Sequence, residues 1–105
     1  MAKILIVEDN QGTNKAICEY MKEAGHTLFS AFTGSEALKI FREKELDIIV
    51  LDIMLPEMSG IVVLHEIRKI SNIWTLFSLK EWSMAYLLII YGILICHMMN
   101  YLVPG

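Results

Sequence analysis

Three short apolar runs, at residues 3–7 (KILIV), 26–32 (HTLFSAF) and 47–51 (DIIVL), alternate with three stretches whose apolar positions recur at helical spacing. The first and third runs are continuous and rich in β-branched residues, as strands covered on both faces are, and the second is weaker. From Thr13 the period changes. Ile17, Tyr20, Met21 and Ala24 share one helical face, and Gly25 is placed to stop that helix. Residues 33–44 open on Thr33 with Glu36 three residues later, a capping-box pattern, and carry Ala37, Leu38 and Phe41 on one side. Residues 60–69 carry Ile61, Leu64 and Ile67 at helical spacing, with basic residues in the last turn where the helix dipole favours them.

The order is therefore βαβαβα. Strands alternating with helices imply parallel pairing and an α/β fold built on an open, doubly wound parallel sheet. In such sheets ligands bind at the carboxyl ends of the strands, where strand order reverses. Glu8 and Asp9 follow the first run and Asp52 ends the third, so all three carboxylates fall at such ends. Crowded carboxylates repel unless a partner neutralises them. Oxygen-only ligands without His or Cys nearby favour a hard cation such as Mg2+, which commonly joins one or two carboxylates to phosphate oxygens. Taken singly each acid reads as an ordinary loop, turn or capping residue; taken jointly they read as a site for a phosphoryl group.

Composition adds limits. At 105 residues the chain has room for one domain, 1–105. A formal charge of −3 with Lys and Arg mixed among acids gives no basic face for nucleic acid, so direct nucleic-acid binding is not expected. Cys18 and Cys96 are far apart and read as small apolar residues, and the first apolar run stops at Glu8, short of a signal-peptide core, which points to a cytoplasmic chain. His65 sits beside Glu66 and Arg68 and reads as a solvated side chain, and residues 42–45 as an exposed helix end.

The segments ILIVEDN and DIIVLDIMLPEMSG, in the βαβαβα order, together resemble the receiver domain of bacterial two-component response regulators over residues 2–72. The joint pattern is specific: an acidic pair after the first strand, and an Asp ending the third followed by Leu-Pro and Ser-Gly. The resemblance implies a chemotaxis-regulator-like, flavodoxin-like sheet of order 2-1-3-4-5. It implies that Asp52 is the phosphoacceptor for a sensor histidine kinase and that Asp9 is the principal Mg2+ ligand. Glu8 would assist through water, Asp52 would share the ion, and the backbone carbonyl of Met54 would complete the protein ligands. Pro56 and Gly60 would shape the loop and open the third helix. The implied protein is a signalling switch, not a turnover enzyme, with a homodimer partner or a downstream effector.

After residue 72 the resemblance weakens. A fourth strand fits within residues 72–82, where Ser78 is the better candidate for the hydroxyl that contacts phosphate and Thr75 the other; Ser78 reads equally as a loop serine. Residues 100–105 resemble the family's aromatic-containing fifth strand, with Tyr101 at the place of its switch aromatic, yet Val103 stands before Pro104 where the family has Lys. No Lys follows Lys80, and the family's last helix has no counterpart. Losing that Lys removes a charge-assisted contact to phosphate of about 1.5–3 kcal/mol. Residues 82–103 carry no charged side chain, long enough to span a bilayer, which needs about 20 residues. His97, Asn100 and the lack of a basic flank argue against a membrane segment. A non-phosphorylatable or membrane-tethered pseudo-receiver is thus the rival function, and a shifted reading frame accounts best for the loss of charge pattern, Lys and final helix together in 73–105.

Overall fold

The computed structural model describes residues 2–78. Four parallel strands alternate with three helices: β1 (Lys3–Val7), α1 (Gln11–Glu23), β2 (Thr27–Ala31), α2 (Gly34–Glu43), β3 (Ile48–Asp52), α3 (Gly60–Arg68) and β4 (Trp74–Ser78). The sheet order is β2-β1-β3-β4, the expected 2-1-3-4-5 order as far as β4. The expectations of a fifth strand and of a missing final helix, and the residues Cys96, Tyr101, Val103, Pro104 and the uncharged segment 82–103, fall outside the described residues. Among the described residues no helix is long and apolar enough to cross a membrane.

The central strands explain the continuous apolar runs. Apart from exposed Lys3, every residue of β1 and β3 is buried. Side chains alternate across a strand, so two separate apolar layers form. Ile4, Ile6, Ile48 and Val50 face α1 and meet Ile17 and Met21. Leu5, Val7, Ile49 and Leu51 point the other way and meet Ala37 and Leu38 of α2 and Val63 and Ile67 of α3. Each such aliphatic side chain contributes about 1.5–3 kcal/mol when fully buried, which makes these layers the dominant stabilising element of the described fold. Glu8 and Asp52 keep the parity of Ile4, Ile6, Ile48 and Val50 and therefore emerge at the rim of the α1 side.

Two helices differ from the sequence reading. α1 begins at Gln11, ahead of Thr13, because Asn10 caps it: the Asn10 Oδ1 accepts from the Thr13 N–H at 2.9 Å. Its end follows expectation. Gly25 has φ 95°, its N–H donates to the Lys22 carbonyl at 2.9 Å, and the His26 N–H donates to the Met21 carbonyl at 3.3 Å, the two bonds of a Schellman ending.

In α3 the buried face is Gly60, Val63 and Ile67, with Leu64 half-buried, while Ile61 is 53% exposed. The sequence reading put Ile61 on that face. Gly60 decides otherwise: its N–H donates to the Ile53 carbonyl at 2.8 Å, and a Cβ there would lie 2.9 Å from the Ile53 Cα and closer still to the Asp52 carbonyl oxygen. That close approach turns the helix so that Val63, three residues on, meets the sheet.

In α2 the cap is as expected on one side, with Thr33 Oγ1 accepting from the Glu36 N–H at 3.1 Å. The Glu36 carboxylate reaches one residue further back, to the Phe32 N–H at 2.6 Å.

Candidate functional site

The strand order grows from β1 to β2 on one side and from β1 to β3 on the other, so the carboxyl ends of β1 and β3 flank the point where the direction reverses. Val7 pairs with Leu51, and one step further along this register lie Glu8 and Asp52. Asp9 follows on the loop into α1. Carboxylate oxygens of Glu8, Asp9 and Asp52 lie within 4.8 Å of one another. Among the described residues this is the one group of three or more acidic, His or Cys side chains with that spacing.

Local bonds orient two of the three. The Met54 N–H donates to Asp52 Oδ1 at 2.9 Å, and the Asn10 N–H donates to Glu8 Oε2 at 2.9 Å. Asp52 is 0% exposed and Glu8 1%, whereas Asp9 is half-buried, so the cluster opens to solvent on the Asp9 side. There the loop from Ile53 to Ser59 and Asp9 line an open groove of about 580 Å3. Met54, 65% exposed, and Pro56 stand on its wall.

Two negative charges about 4 Å apart repel by about 4 kcal/mol at a dielectric typical of a protein surface. Three carboxylates at this spacing, all hard oxygen donors, fit a divalent cation of the Mg2+ or Ca2+ type; no nitrogen or sulfur donor stands among them to favour zinc.

Of the two hydroxyl candidates, the backbone register sets Ser78 level with Asp52 and Thr75 level with Ile49. Thr75 is occupied elsewhere: its Oγ1 lies 3.3 Å from the Ile73 carbonyl and 3.3 Å from Arg68 Nη2. His65 is exposed on α3 and is not a member of the cluster.

The sequence reading passed over Asn10 and Asn14. Asn10 stood in plain view as a cap-type residue just before a helix. Asn14 was marked by its spacing, three before Ile17 and seven before Met21 on the apolar stripe, and it is 1% exposed.

A family model described as "Response regulator receiver domain" matches residues 4–84. The chain belongs to the response regulator receiver family. The receiver is 40% identical over 70 residues to a probable transcriptional regulator, ycf27, of Cyanidium caldarium, a match covering 67% of this chain and 28% of that protein. It is 39% identical over 66 residues to the regulatory protein VanR of Enterococcus faecium, covering 63% of this chain and 29% of that one. The chain thus spans about three tenths of the length of the curated relatives it matches. In three dimensions the receiver is similar to the response regulator TrrA of Thermotoga maritima, whose crystal structure is a complex with Mg2+-BeF. The TM-score is 0.74 at 27% identity, over 90% of this chain and 99% of that one. The chemotaxis protein CheY4 of Vibrio cholerae shares the fold, with TM-score 0.74 at 22% identity over 88% of this chain and 97% of that one.

Proposed function

We propose that this receiver is a phosphoacceptor in a two-component phosphorelay, taking a phosphoryl group onto Asp52 from the phosphohistidine of a sensor histidine kinase. Glu8, Asp9, Asp52 and the backbone carbonyl of Met54 would hold Mg2+. The observation that carries this reading is the gathering of three carboxylates within 4.8 Å where the sheet's strand order reverses, one of them ending the buried central strand β3.

When bound, the ion would offset the carboxylates' charge and withdraw charge from the phosphoryl oxygens. The chain's own groups do the rest. The Met54 N–H holds Asp52 Oδ1 and so orients the carboxylate. A carboxylate oxygen of Asp52 attacks phosphorus, the P–N bond to the donor imidazole breaks, and its electron pair returns to the ring nitrogen, leaving a mixed anhydride on Asp52. The groove beside Asp9 supplies the approach. Ser78, level with Asp52 in the register, is the residue we assign to contact a phosphoryl oxygen. The chain then acts as one receiver unit over 1–105, in the cytoplasm, as a switch and not a turnover enzyme. Its partners are the kinase and either a second copy of itself or a downstream effector.

The test is incubation of the full chain with Mg2+ and a small acyl phosphate, wild type beside Asp52→Ala. An acid-stable, base-labile phosphate on wild type alone is the expected result. A folded wild type that takes no phosphate would instead favour the second reading, a pseudo-receiver working by contact alone. The observation on that side is Val103 before Pro104, with no Lys after Lys80 to meet the phosphate.

A further inference from the structure

Asn14 is a polar side chain on the apolar face of α1, between Ile17 and Met21 and the carboxyl ends of β1 and β2. Asn is a poor choice for a helix interior, and a buried amide is unfavourable by a few kcal/mol unless its hydrogen bonds are made. Here they are made. Nδ2 donates to the Glu8 carbonyl at 3.1 Å and to the Ala31 carbonyl at 3.2 Å, while Oδ1 accepts from the Cys18 thiol at 3.4 Å. The amide's orientation follows from these partners, since the flipped form would set its oxygen against two carbonyl oxygens. Ala31 also receives the Glu8 N–H at 3.0 Å. The side chain thus ties the ends of β1 and β2 together and grips the peptide group that joins Glu8 to Asp9.

We infer that Asn14 is a positioning residue for the cation site: by holding the Glu8 carbonyl it fixes the peptide from which the Glu8 and Asp9 carboxylates diverge, and so sets their spacing toward Asp52. The inference rests on the cation reading proposed above. Groups that hold ligands without touching the ion commonly change metal affinity by 10–100-fold when removed. Asn14→Leu, of similar size and a better helix former, removes both donors and leaves the apolar contacts in place.

The experiment is a titration of the 15N-labelled full chain with MgCl2, followed by amide shifts, on wild type, Asn14→Leu and Asp9→Asn. Because the shifts are read on folded molecules only, a loss of stability does not imitate a loss of affinity. Saturable binding to wild type, weakened on the order of tenfold in folded Asn14→Leu, is the expected result. Wild-type affinity in folded Asn14→Leu would overturn the inference and leave the cation reading standing. No saturable shift in wild type, indistinguishable from Asp9→Asn, would overturn both. Should Asn14→Leu not fold, the wild type alone decides. The Asn14 side-chain amide resonances should move with the same midpoint as the Asp9 backbone amide, and resonances indifferent to Mg2+ would end the inference.

Discussion

A carboxylate at the end of an otherwise apolar strand is explained by its neighbours. Asp52 closes β3 because the strand's end is also the rim of the sheet, where Glu8 and Asp9 converge. If the three hold a divalent cation, the ion stabilises the folded chain by mass action, by about 2.7 kcal/mol at a hundredfold excess over its dissociation constant. The midpoint of thermal unfolding should therefore rise when Mg2+ replaces EDTA, and Asp9→Asn should abolish the rise; an equal rise in both proteins would break the link to this cluster. His26 makes a separate prediction. Its Nδ1 accepts from the Ala2 N–H at 3.3 Å, and burial lowers its pKa below the ordinary 6.5. The folded state therefore binds this proton less readily than the unfolded chain. Its contribution is complete above about pH 6.5 and fades as the pH falls toward the lowered value. Denaturant unfolding followed just below pH 6.5 should show a steeper loss for wild type than for His26→Gln, and parallel curves would contradict this.

At the scale of elements, the glycines that end α1 and begin α3 do different work. Gly25 needs only the left-handed backbone, so Gly25→Ala should cost about 1–2 kcal/mol with α1 otherwise intact. Gly60 needs absence of a side chain, because a Cβ would strike the backbone of Asp52 and Ile53. Gly60→Ala should be more destabilising than Gly25→Ala, and should also disturb the amide of Met54 that holds Asp52; equilibrium unfolding and the Met54 amide shift check both parts.

Much of this level was legible in the sequence. Continuous apolar runs marked β1 and β3, and Thr33 with Glu36 marked the start of α2, because these signals are local. The face of α3 was legible only in part: Ile67 is buried and Leu64 half-buried, but Ile61 shares their spacing and lies exposed, because the close packing of Gly60 on β3 sets Val63 against the sheet. Asn14 escaped for a similar reason: a polar residue in an apolar stripe reads as an exception until its partners, the carbonyls of Glu8 and Ala31, are seen.

For the molecule as a whole, the two apolar layers on opposite faces of the sheet should behave as separate contributors. Ile17 belongs to the layer under α1 and Ile67 to the layer under α2 and α3. Each truncation to Ala should cost about 2–5 kcal/mol. The double variant should lose close to the sum, within about 0.5 kcal/mol, as unconnected sites do. A large coupling energy in that cycle would mean that the sheet transmits packing changes between its faces. The acidic cluster belongs to this scale too, since no single element makes it: the loop after β1 brings Glu8 and Asp9, and the end of β3 brings Asp52.

The alternation that separates the layers also constrains how the chain can vary. An extra aliphatic residue inserted within either central strand would leave the run as oily as before and its hydropathy profile nearly unchanged. It would nevertheless hand the terminal acid to the opposite side of the sheet, among Leu5, Val7 and Leu51. Viable changes of length in these two strands should come in pairs of residues, an even-number rule imposed by the acids on a stretch that looks freely interchangeable.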